Sequence, residues 1–294
     1  MADLRRELEE LLEGVDCSER IASDPVRFVH RYSSREDQEI AGLFAALMAY
    51  GRVDLFLPLL DGLFEHMDSL GGPRTWVETL NVEAERSSLA EFQYRWTRGS
   101  HLVLLAACLQ RVVQKYGDIQ SLFLAGWTPQ DENVRGSLIY AVEWLRKEAV
   151  SRAEECGLSP ALPRGVKFLL ASPESGSACK RWNLYLRWMV RPAQEGVDAG
   201  VWKEIPPSAL VLPLDTHTHR LSRFLGLTTR QDGSWRTAVE ITDGLRKIDP
   251  EDPVRFDFAL AHLGISGFCK GYQVASVCGV CPLESACVAP SSPR

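Results

Sequence analysis

The amino-acid sequence predicts an all-α protein, and three observations support that fold class. Apolar residues recur every three or four positions along most of the chain, which is the period of an amphipathic helix. Several of these segments begin at a capping residue and end at a glycine or an Asp-Pro pair. No run of alternating apolar and polar residues is convincing as a strand. With 294 residues, the chain can bury a large core as one large domain or two smaller ones.

The first two thirds of the chain contain several predicted helices. The N-terminal segment "MADLRRELEELLEG" predicts a charged amphipathic helix. In residues 36–50 an apolar stripe predicts a helix, with Ser33 and Glu36 as a capping box and Gly51 as its end. Further helices are expected at about 101–116, 133–156, 178–190 and 216–225. The stretches 157–177 and 191–211 are rich in Pro, Ser or Gly and are predicted to be loops.

The last third predicts two helices before a cysteine-rich segment. One begins at Ser234 and ends at Asp249-Pro250. The next is expected to have Asp252 as its cap, Pro253 in its first turn and Gly264 as its end. The final "APSSPR" predicts a disordered tail.

Composition and charge exclude some classes of function. The longest apolar run, residues 102–109, is far too short to span a bilayer, and the N-terminus lacks the apolar core of a signal peptide. We therefore expect a cytoplasmic protein with no membrane partner. The net charge of −6 is against a purely electrostatic nucleic-acid binder. The segment between residues 176 and 236, however, contains nine Lys and Arg but only five Asp and Glu, a local excess of four positive charges.

Half of the eight cysteines fall close to the C-terminus with the spacing C-x8-C-x2-C-x5-C. They are Cys269, Cys278, Cys281 and Cys287. Four clustered thiols in a cytosolic protein indicate a metal site rather than disulfides. A single C-x2-C pair is unusual for zinc, and the spacing favours a [4Fe–4S] cluster, with zinc and reduced structural thiols as alternatives. The other four cysteines are scattered singly and are predicted to be small buried hydrophobes.

The segment "LPLDTHTHRLSRFLGL" places Asp215 at the predicted start of a helix, after a proline and an apolar run. A carboxylate there can cap the helix by accepting from the amide of His217 or Thr218, and the helix dipole keeps it ionised. His217 and His219 point in different directions on a helix, so they are not expected to share a metal ion. Arg220 and Arg223 share one face, which suits a phosphate or an acidic neighbour.

These features together resemble the helix-hairpin-helix DNA glycosylase superfamily, in particular its endonuclease III type. The resemblance depends on "CKRWNLYLRWMVR", on "PLDTHTHRLSR" and on the four-cysteine loop. The resemblance covers about residues 30–290. In the same motifs, the chain is similar to a bacterial branch of the superfamily that is described as a domain of unknown function. The first cysteine gap has eight residues here, whereas the family usually has six.

The resemblance implies a catalytic pair, with Asp215 as the catalytic carboxylate and Lys180 as the nucleophilic amine. It also implies a glycine-rich hairpin before Lys180 that donates backbone N–H groups to a DNA phosphate. The sequence departs here, because only Gly176 remains of that hairpin. The interval between Lys180 and Asp215 is also longer than in the endonuclease III type. DNA contacts are expected from Arg181, Arg220, Arg223 and His217.

The expected architecture is a two-lobed helical fold. Residues 33–211 would form a helical barrel lobe with a degenerate hairpin, and residues 1–32 with 212–294 would form the lobe that holds the cluster. The expected function is base-excision DNA glycosylase, with or without AP-lyase activity, acting as a monomer on damaged duplex or single-stranded DNA. The alternative is a non-catalytic nucleic-acid-binding or sensing iron–sulfur protein of the same fold.

Overall fold

The computed structural model describes residues 2–14, 21–193 and 196–292. Within these ranges the chain is mostly helical, which confirms the predicted all-α class. The helices of the first half are α1 (Ala2–Glu13), α2 (Arg27–His30), α3 (Arg35–Met48), α4 (Val53–Ser69), α5 (Pro73–Glu78), α6 (Val82–Ser88), α7 (Gly99–Tyr116) and α8 (Ile119–Leu124). Those of the second half are α9 (Arg135–Arg152), α10 (Arg164–Leu169), α11 (Lys180–Val190), α12 (Thr216–Phe224), α13 (Trp235–Arg246), α14 (Asp257–Ile265) and α15 (Ala275–Cys278).

A short antiparallel hairpin was not predicted from the sequence. Strands β1 (Gln93–Tyr94) and β2 (Thr97–Arg98) pair Tyr94 with Thr97, and Arg95 adopts a left-handed conformation (φ 52°) in the turn between them. Each strand is only two residues long, so it cannot produce a detectable alternation of apolar and polar residues. The hairpin leads directly into α7.

The cap of α3 differs by one residue from the predicted cap. Ser34, and not Ser33, is the N-cap, and its hydroxyl oxygen accepts a hydrogen bond from the backbone N–H of Asp37 at 3.2 Å. Gly51 lies beyond the helix with φ +82°, a conformation that glycine adopts without strain. The cap at Ser234 is as predicted, because its hydroxyl accepts from the N–H of Thr237 at 3.3 Å.

Three predictions of local structure are wrong. The expected helix cap at Asp252 is absent, and α14 begins only at Asp257. The Asp252 carboxylate instead accepts from Arg191 Nε at 2.8 Å, so a tertiary ion pair replaces the local cap. The helix also continues past Gly264. The expected loop 157–177 contains α10 and a 3₁₀ turn at Pro173–Ser175.

A single cluster of buried apolar side chains extends from Leu8 in α1 to Leu283 near the C-terminus. Helix α1 lies against the C-terminal part of the chain, where Glu7 accepts from the backbone N–H of Ala286 at 3.2 Å and Glu9 pairs with Arg255. Helix α2 packs against α3. The division into two lobes stays a prediction. Among the helices that the structure describes, none is long and apolar enough to cross a membrane.

Candidate functional site

A cleft of about 770 Å³ contains both residues that the sequence pairs as catalytic, Lys180 and Asp215. Its walls come from the turn before α2, the connection between α3 and α4, the start of α11, the start of α12 and one face of α14. A larger cavity of about 950 Å³ lies against α13 and is lined by none of the predicted site residues. The smaller cleft is therefore the candidate functional site, because it contains the predicted site residues.

Asp215 is the N-cap of α12, as its sequence position predicts. Its Oδ1 accepts from the backbone N–H of His217 at 2.9 Å and from that of Thr218 at 2.8 Å. Both bonds use one carboxylate oxygen, and Oδ2 has no partner among the described residues. The side chain is half-buried at the cleft wall. The cap therefore holds the carboxylate in place through one of its two oxygens.

Lys180 is the first residue of α11 and lies half-buried in the same cleft. The N-cap of this helix, Cys179, adopts a left-handed conformation (φ 50°) and has no side-chain hydrogen bond to the first turn. Within the described chain, the amine of Lys180 makes no ion pair with a carboxylate. Burial raises the pKa values of two carboxylates of the same cleft, and the positive charge of Lys180 opposes both rises.

These two carboxylates, Asp24 and Asp257, also line the cleft. Asp257 is 2% exposed, and burial raises its pKa to about 6, with Asp215 adding to the rise while Arg187 and Lys180 oppose it. Its Oδ2 accepts from Arg187, and its buried Oδ1 has no hydrogen-bond partner in the described chain. Burial likewise raises the pKa of Asp24, whose Oδ2 lies 3.8 Å from His262 Nε2.

A buried ion network connects the walls of the cleft. Arg187 on α11 binds Asp257 on α14 and Asp198 in the following loop, the latter at 3.1 Å. Arg191 binds the other oxygen of Asp198 at 2.6 Å and Asp252 at 2.8 Å. Lys180 begins the helix that carries Arg187 and that ends just before Arg191, so the network helps to determine where Lys180 lies relative to α14.

The position of Arg181 does not support a direct contact with DNA. Its side chain is 8% exposed, and its guanidinium donates to the carbonyl oxygens of Leu47, at 2.7 Å, and Phe168. The guanidinium carbon also lies 3.7 Å from the centroid of the Phe168 ring. Arg181 therefore joins α11 to α3 and α10, and only part of it reaches the cleft wall.

The two histidines of α12 diverge, as their spacing predicts. His217 lines the cleft, and its Nδ1 is buried without a hydrogen-bond partner among the described residues. A Cβ added at Gly264 would lie 2.6 Å from the His217 Cβ, so this glycine permits α14 to approach α12 closely. His219 Nε2 lies 3.1 Å from the carbonyl oxygen of Arg230, away from the cleft.

Arg220 and Arg223 do not line the cleft. The guanidinium of Arg220 extends along Gly271 in the cysteine loop, about 3.5 Å from where a Cβ would be. Arg223 is half-buried and has no side-chain ion pair within the described ranges. Their expected contact with DNA stays a prediction.

In the loop before α11, where the resemblance implies a glycine-rich hairpin, several amides form hydrogen bonds within the loop. The N–H of Gly176 donates to Pro173 O at 3.0 Å, and the N–H groups of Glu174 and Ser175 donate to Ser172. The N–H of Cys179 donates to Ser177 Oγ at 3.1 Å. These amides are therefore satisfied within the loop and do not form a phosphate-binding hairpin.

The four C-terminal cysteines line a second pocket, of about 520 Å³. Apolar side chains of α12 and α14 (Leu221, Phe224, Leu225 and Leu263) form its other wall. Cys278 Sγ accepts from the backbone N–H of Val274 at 3.4 Å, and the N–H of Val288 donates to Phe224 O at 2.8 Å. The loop is thus attached to α12, and all four cysteines line one pocket.

The pocket is lined by the four cysteines that a [4Fe–4S] cluster or a zinc ion would require. A zinc ion needs sulfur atoms about 2.3 Å from one point. In the described ranges, no group of three or more His, Cys, Asp or Glu side chains could hold a metal ion as placed. A [4Fe–4S] cluster spreads its cysteines over a larger volume, and hydrogen bonds to cysteine sulfur, such as that from Val274, are among the features that tune such clusters.

The scattered cysteines behave as predicted where the structure describes them. Cys108, Cys156 and Cys179 are free and buried, and burial raises the pKa of each thiol. Raised thiol pKa values make them poor nucleophiles. Cys17 lies outside the described residues.

Comparison with protein families gave one match. The model of a family described as "Protein of unknown function (DUF2400)" matches residues 24–266. The chain belongs to this family. A search of curated proteins and a search of solved structures each found no match. The matched part of this DUF2400 chain includes Lys180 and three carboxylates of the cleft, Asp24, Asp215 and Asp257. It ends before the first cysteine of the C-terminal pocket.

Sequence reasoning missed three charged residues of the cleft region. A signal for Asp257 is present in the sequence, because it is the only carboxylate in the largely apolar segment "RFDFALAHLG". A lone carboxylate in such a segment predicts a buried group that is paired with a cation. Arg187 lies between Leu186 and Trp188 on a helix whose face is buried, a weaker signal of the same kind. Asp24 precedes a proline and is indistinguishable from an ordinary turn residue in the sequence.

Proposed function

We propose that this DUF2400 protein is a DNA glycosylase that removes a damaged base from a flipped-out nucleotide, with an associated AP-lyase activity. The observation that supports this most is that Lys180 and Asp215, on different helices, line the same cleft. The volume of about 770 Å³ is within the range of small-molecule sites and can admit one nucleotide. A base inside a duplex must leave the stack to reach such a cleft.

Asp215 would stabilise the developing positive charge on the sugar. Breaking the N-glycosidic bond leaves the bonding pair on the departing base and makes the sugar C1′ cation-like. An ionised carboxylate held in place beside that carbon lowers the barrier, because its orientation is already established before the reaction. The two amide bonds to Oδ1 hold the carboxylate in place and leave Oδ2 to face the sugar.

Lys180 would act as the nucleophile. Its neutral Nζ forms a bond to C1′ as the C1′–N bond to the base breaks, and the base leaves with the electron pair and takes up a proton. Opening of the sugar ring then gives a Schiff base between Nζ and C1′. Loss of a proton from C2′ allows the 3′ C–O bond to phosphate to break, and water finally releases the lysine. A nearby carboxylate, such as Asp24 or Asp257, can accept the proton that the ammonium form must lose.

Cys269, Cys278, Cys281 and Cys287 would hold a [4Fe–4S] cluster with a structural role. The cluster would fix the C-terminal loop against α12, the helix whose first residues carry Asp215 and His217. Glycosidic bond cleavage transfers no net electrons to or from a cofactor, so no redox step is required of this group.

A trapping experiment tests the proposed chemistry. Borohydride reduces a Schiff base between lysine and the opened sugar to a stable adduct, visible as a protein–DNA band on a denaturing gel. The substrates should include oxidised purines and pyrimidines, methylated bases and uracil, each in duplex and single strand. Lys180→Gln should abolish the adduct, and Lys147→Gln, an exposed lysine on α9, should leave it unchanged.

Asp215→Asn separates the two catalytic residues. Asparagine caps helices well, so the fold should persist, while base release should slow about 100-fold or more. Base release that survives Lys180→Gln but not Asp215→Asn would indicate a monofunctional enzyme that uses water.

The second candidate is a non-catalytic nucleic-acid-binding protein. It is favoured by the internally hydrogen-bonded amides of the loop at 174–179 and by the carboxylates that share the cleft with Lys180. No base release from any substrate, together with DNA binding and an intact cluster, would establish this alternative.

A further inference from the structure

Three arginines beside the cleft lie over aromatic rings and make no ion pair within the described part of the chain. Arg95 and Arg164 lie over the Trp96 ring, each with its guanidinium carbon 5.5 Å from the ring centroid. Arg181 lies over Phe168 at 3.7 Å and over Tyr50 at 5.5 Å. Within the described part of the chain, no carboxylate pairs with any of the three. The charges of the exposed Arg95 and Arg164 are therefore available to an external anion, whereas Arg181 is buried and donates to two carbonyl oxygens.

The rings themselves form one continuous surface. Tyr50 and Trp96 are stacked, with centroids 5.7 Å apart and an interplanar angle of 10°. Phe168 contacts both edge-on, at 4.9 Å from Tyr50 and 5.0 Å from Trp96. All three rings are half-buried, whereas Arg95 and Arg164 are exposed. We refer to Tyr50, Arg95, Trp96, Arg164, Phe168 and Arg181 as the aromatic–arginine patch.

The patch is continuous with the cleft, because Tyr50, Phe168 and Arg181 line it. Trp96 extends the ring surface away from the cleft, onto the β1–β2 hairpin. A polymer whose one unit enters the cleft would therefore pass its neighbouring units over the patch.

We infer that the aromatic–arginine patch binds the single-stranded DNA that flanks the nucleotide in the cleft. Proteins that hold single strands combine cationic side chains along the backbone with aromatic rings on which bases stack. Exposed Arg95 and Arg164 supply the cations, and Trp96 with its neighbours supplies the rings. Duplex DNA suits the patch less well, because its base faces are already covered by stacking. The inference takes from the proposed function that a nucleotide occupies the cleft, but binding at the patch requires no chemistry.

The inference is tested by fluorescence anisotropy with a labelled, undamaged oligothymidine of about 12 nucleotides, within the usual site size of single-strand binders. Arg95→Ala/Arg164→Ala should weaken binding about tenfold and reduce the slope of log affinity against log salt by about 1.4, since each phosphate contact to a single strand contributes about 0.7. Both side chains are exposed, so the fold should tolerate the change. Trp96→Leu, checked by thermal denaturation, should weaken binding by a similar factor with little change in salt slope, because it removes stacking.

The matched control is a second cation–aromatic contact, in which Lys115 lies 5.1 Å from the ring of Tyr116 and 5.5 Å from that of Trp144. Lys115→Ala together with the exposed Arg111→Ala should leave oligothymidine binding unchanged. Equal losses in the two double variants would overturn the inference, because they would indicate a general charge effect. Equal affinity for a duplex of the same length would overturn it too, as would displacement of the oligonucleotide by polyglutamate at matched charge.

This test is independent of the proposed chemistry. Binding that depends on Arg95, Arg164 and Trp96, without base release from any damaged substrate, would support the patch and reject the glycosylase. Base release without any binding of oligothymidine at low salt would reject the patch and leave the glycosylase standing.

Discussion

The cleft and the cysteine pocket lie at opposite ends of α12 and are built in different ways. The cleft contains Asp215 and His217 at the start of the helix, and the pocket contains Phe224 and Leu225 at its end. All four thiols of the pocket come from one segment of 19 residues. The charged residues of the cleft come from positions as far apart as Asp24 and Asp257, held by buried ion pairs.

The difference shows two ways of placing reactive groups. In the pocket, short connections bring the cysteines together, and a metal would supply much of the stability. In the cleft, Lys180 and Asp257 are positioned by the folded core, because Arg187 and Arg191 connect α11 to α14 and to the loop around Asp198. Metal removal and ion-pair removal should therefore damage different parts of the molecule.

The largest expected effect is at the pocket. Cys281→Ser should reduce iron from about four atoms per chain to background, because a cube that lacks one thiolate is poorly held. Metal analysis of anaerobically purified protein and absorbance near ~400 nm measure this loss. The control is Val280→Ser, a neighbouring side chain that is 72% exposed, which should retain the iron. Stoichiometric zinc in the parent protein, expressed with ample iron, would contradict the cluster assignment.

The next effect is at the cleft. Arg187→Met should lower the free energy of unfolding by about 3–5 kcal/mol, because it leaves the buried Asp257 carboxylate without its cation. Urea denaturation measures the change, and iron content should stay at the parent level. The matched control is Arg52→Met, whose partner Asp54 is exposed, and it should cause no measurable loss. If Arg187→Met were as stable as Arg52→Met and the parent, the buried ion pairs would not stabilise the packing of α11 against α14.

The smallest effect concerns pH. Burial raises the pKa of Asp257 to about 6 in the folded protein, above its value near 3.9 in an unfolded chain. The folded state therefore holds this proton more tightly, and the stabilising contribution is complete below about pH 4 and lost as the pH rises through 6. Asp257→Asn has no such proton. The difference in unfolding free energy between parent and variant should fall by about 2 kcal/mol from pH 4 to pH 7. Parallel stability curves over that range would show that Asp257 does not titrate in this way.

Local rules predicted the features whose partners are close in sequence. The period of apolar residues predicted α3, α7, α9, α11 and α13. Asp215 caps α12 because its acceptor oxygen and the amides of His217 and Thr218 are two and three residues apart. The same rules failed at Asp252, because Arg191 competes for the carboxylate from 61 residues away. They also give no account of Arg181, whose carbonyl partners lie on α3 and α10.

The sequence by itself determined the helical class, the cap at Asp215 and the grouping of four cysteines, since each depends on a period or a spacing of a few residues. Only the tertiary structure decided that Lys180 and Asp215 share a cleft, that Asp24 and Asp257 join them, and that the rings of Tyr50, Trp96 and Phe168 form one surface with three arginines. These groups meet because burial of the apolar core packs distant helices together, and no local spacing in the chain encodes which polar residues that packing brings into contact.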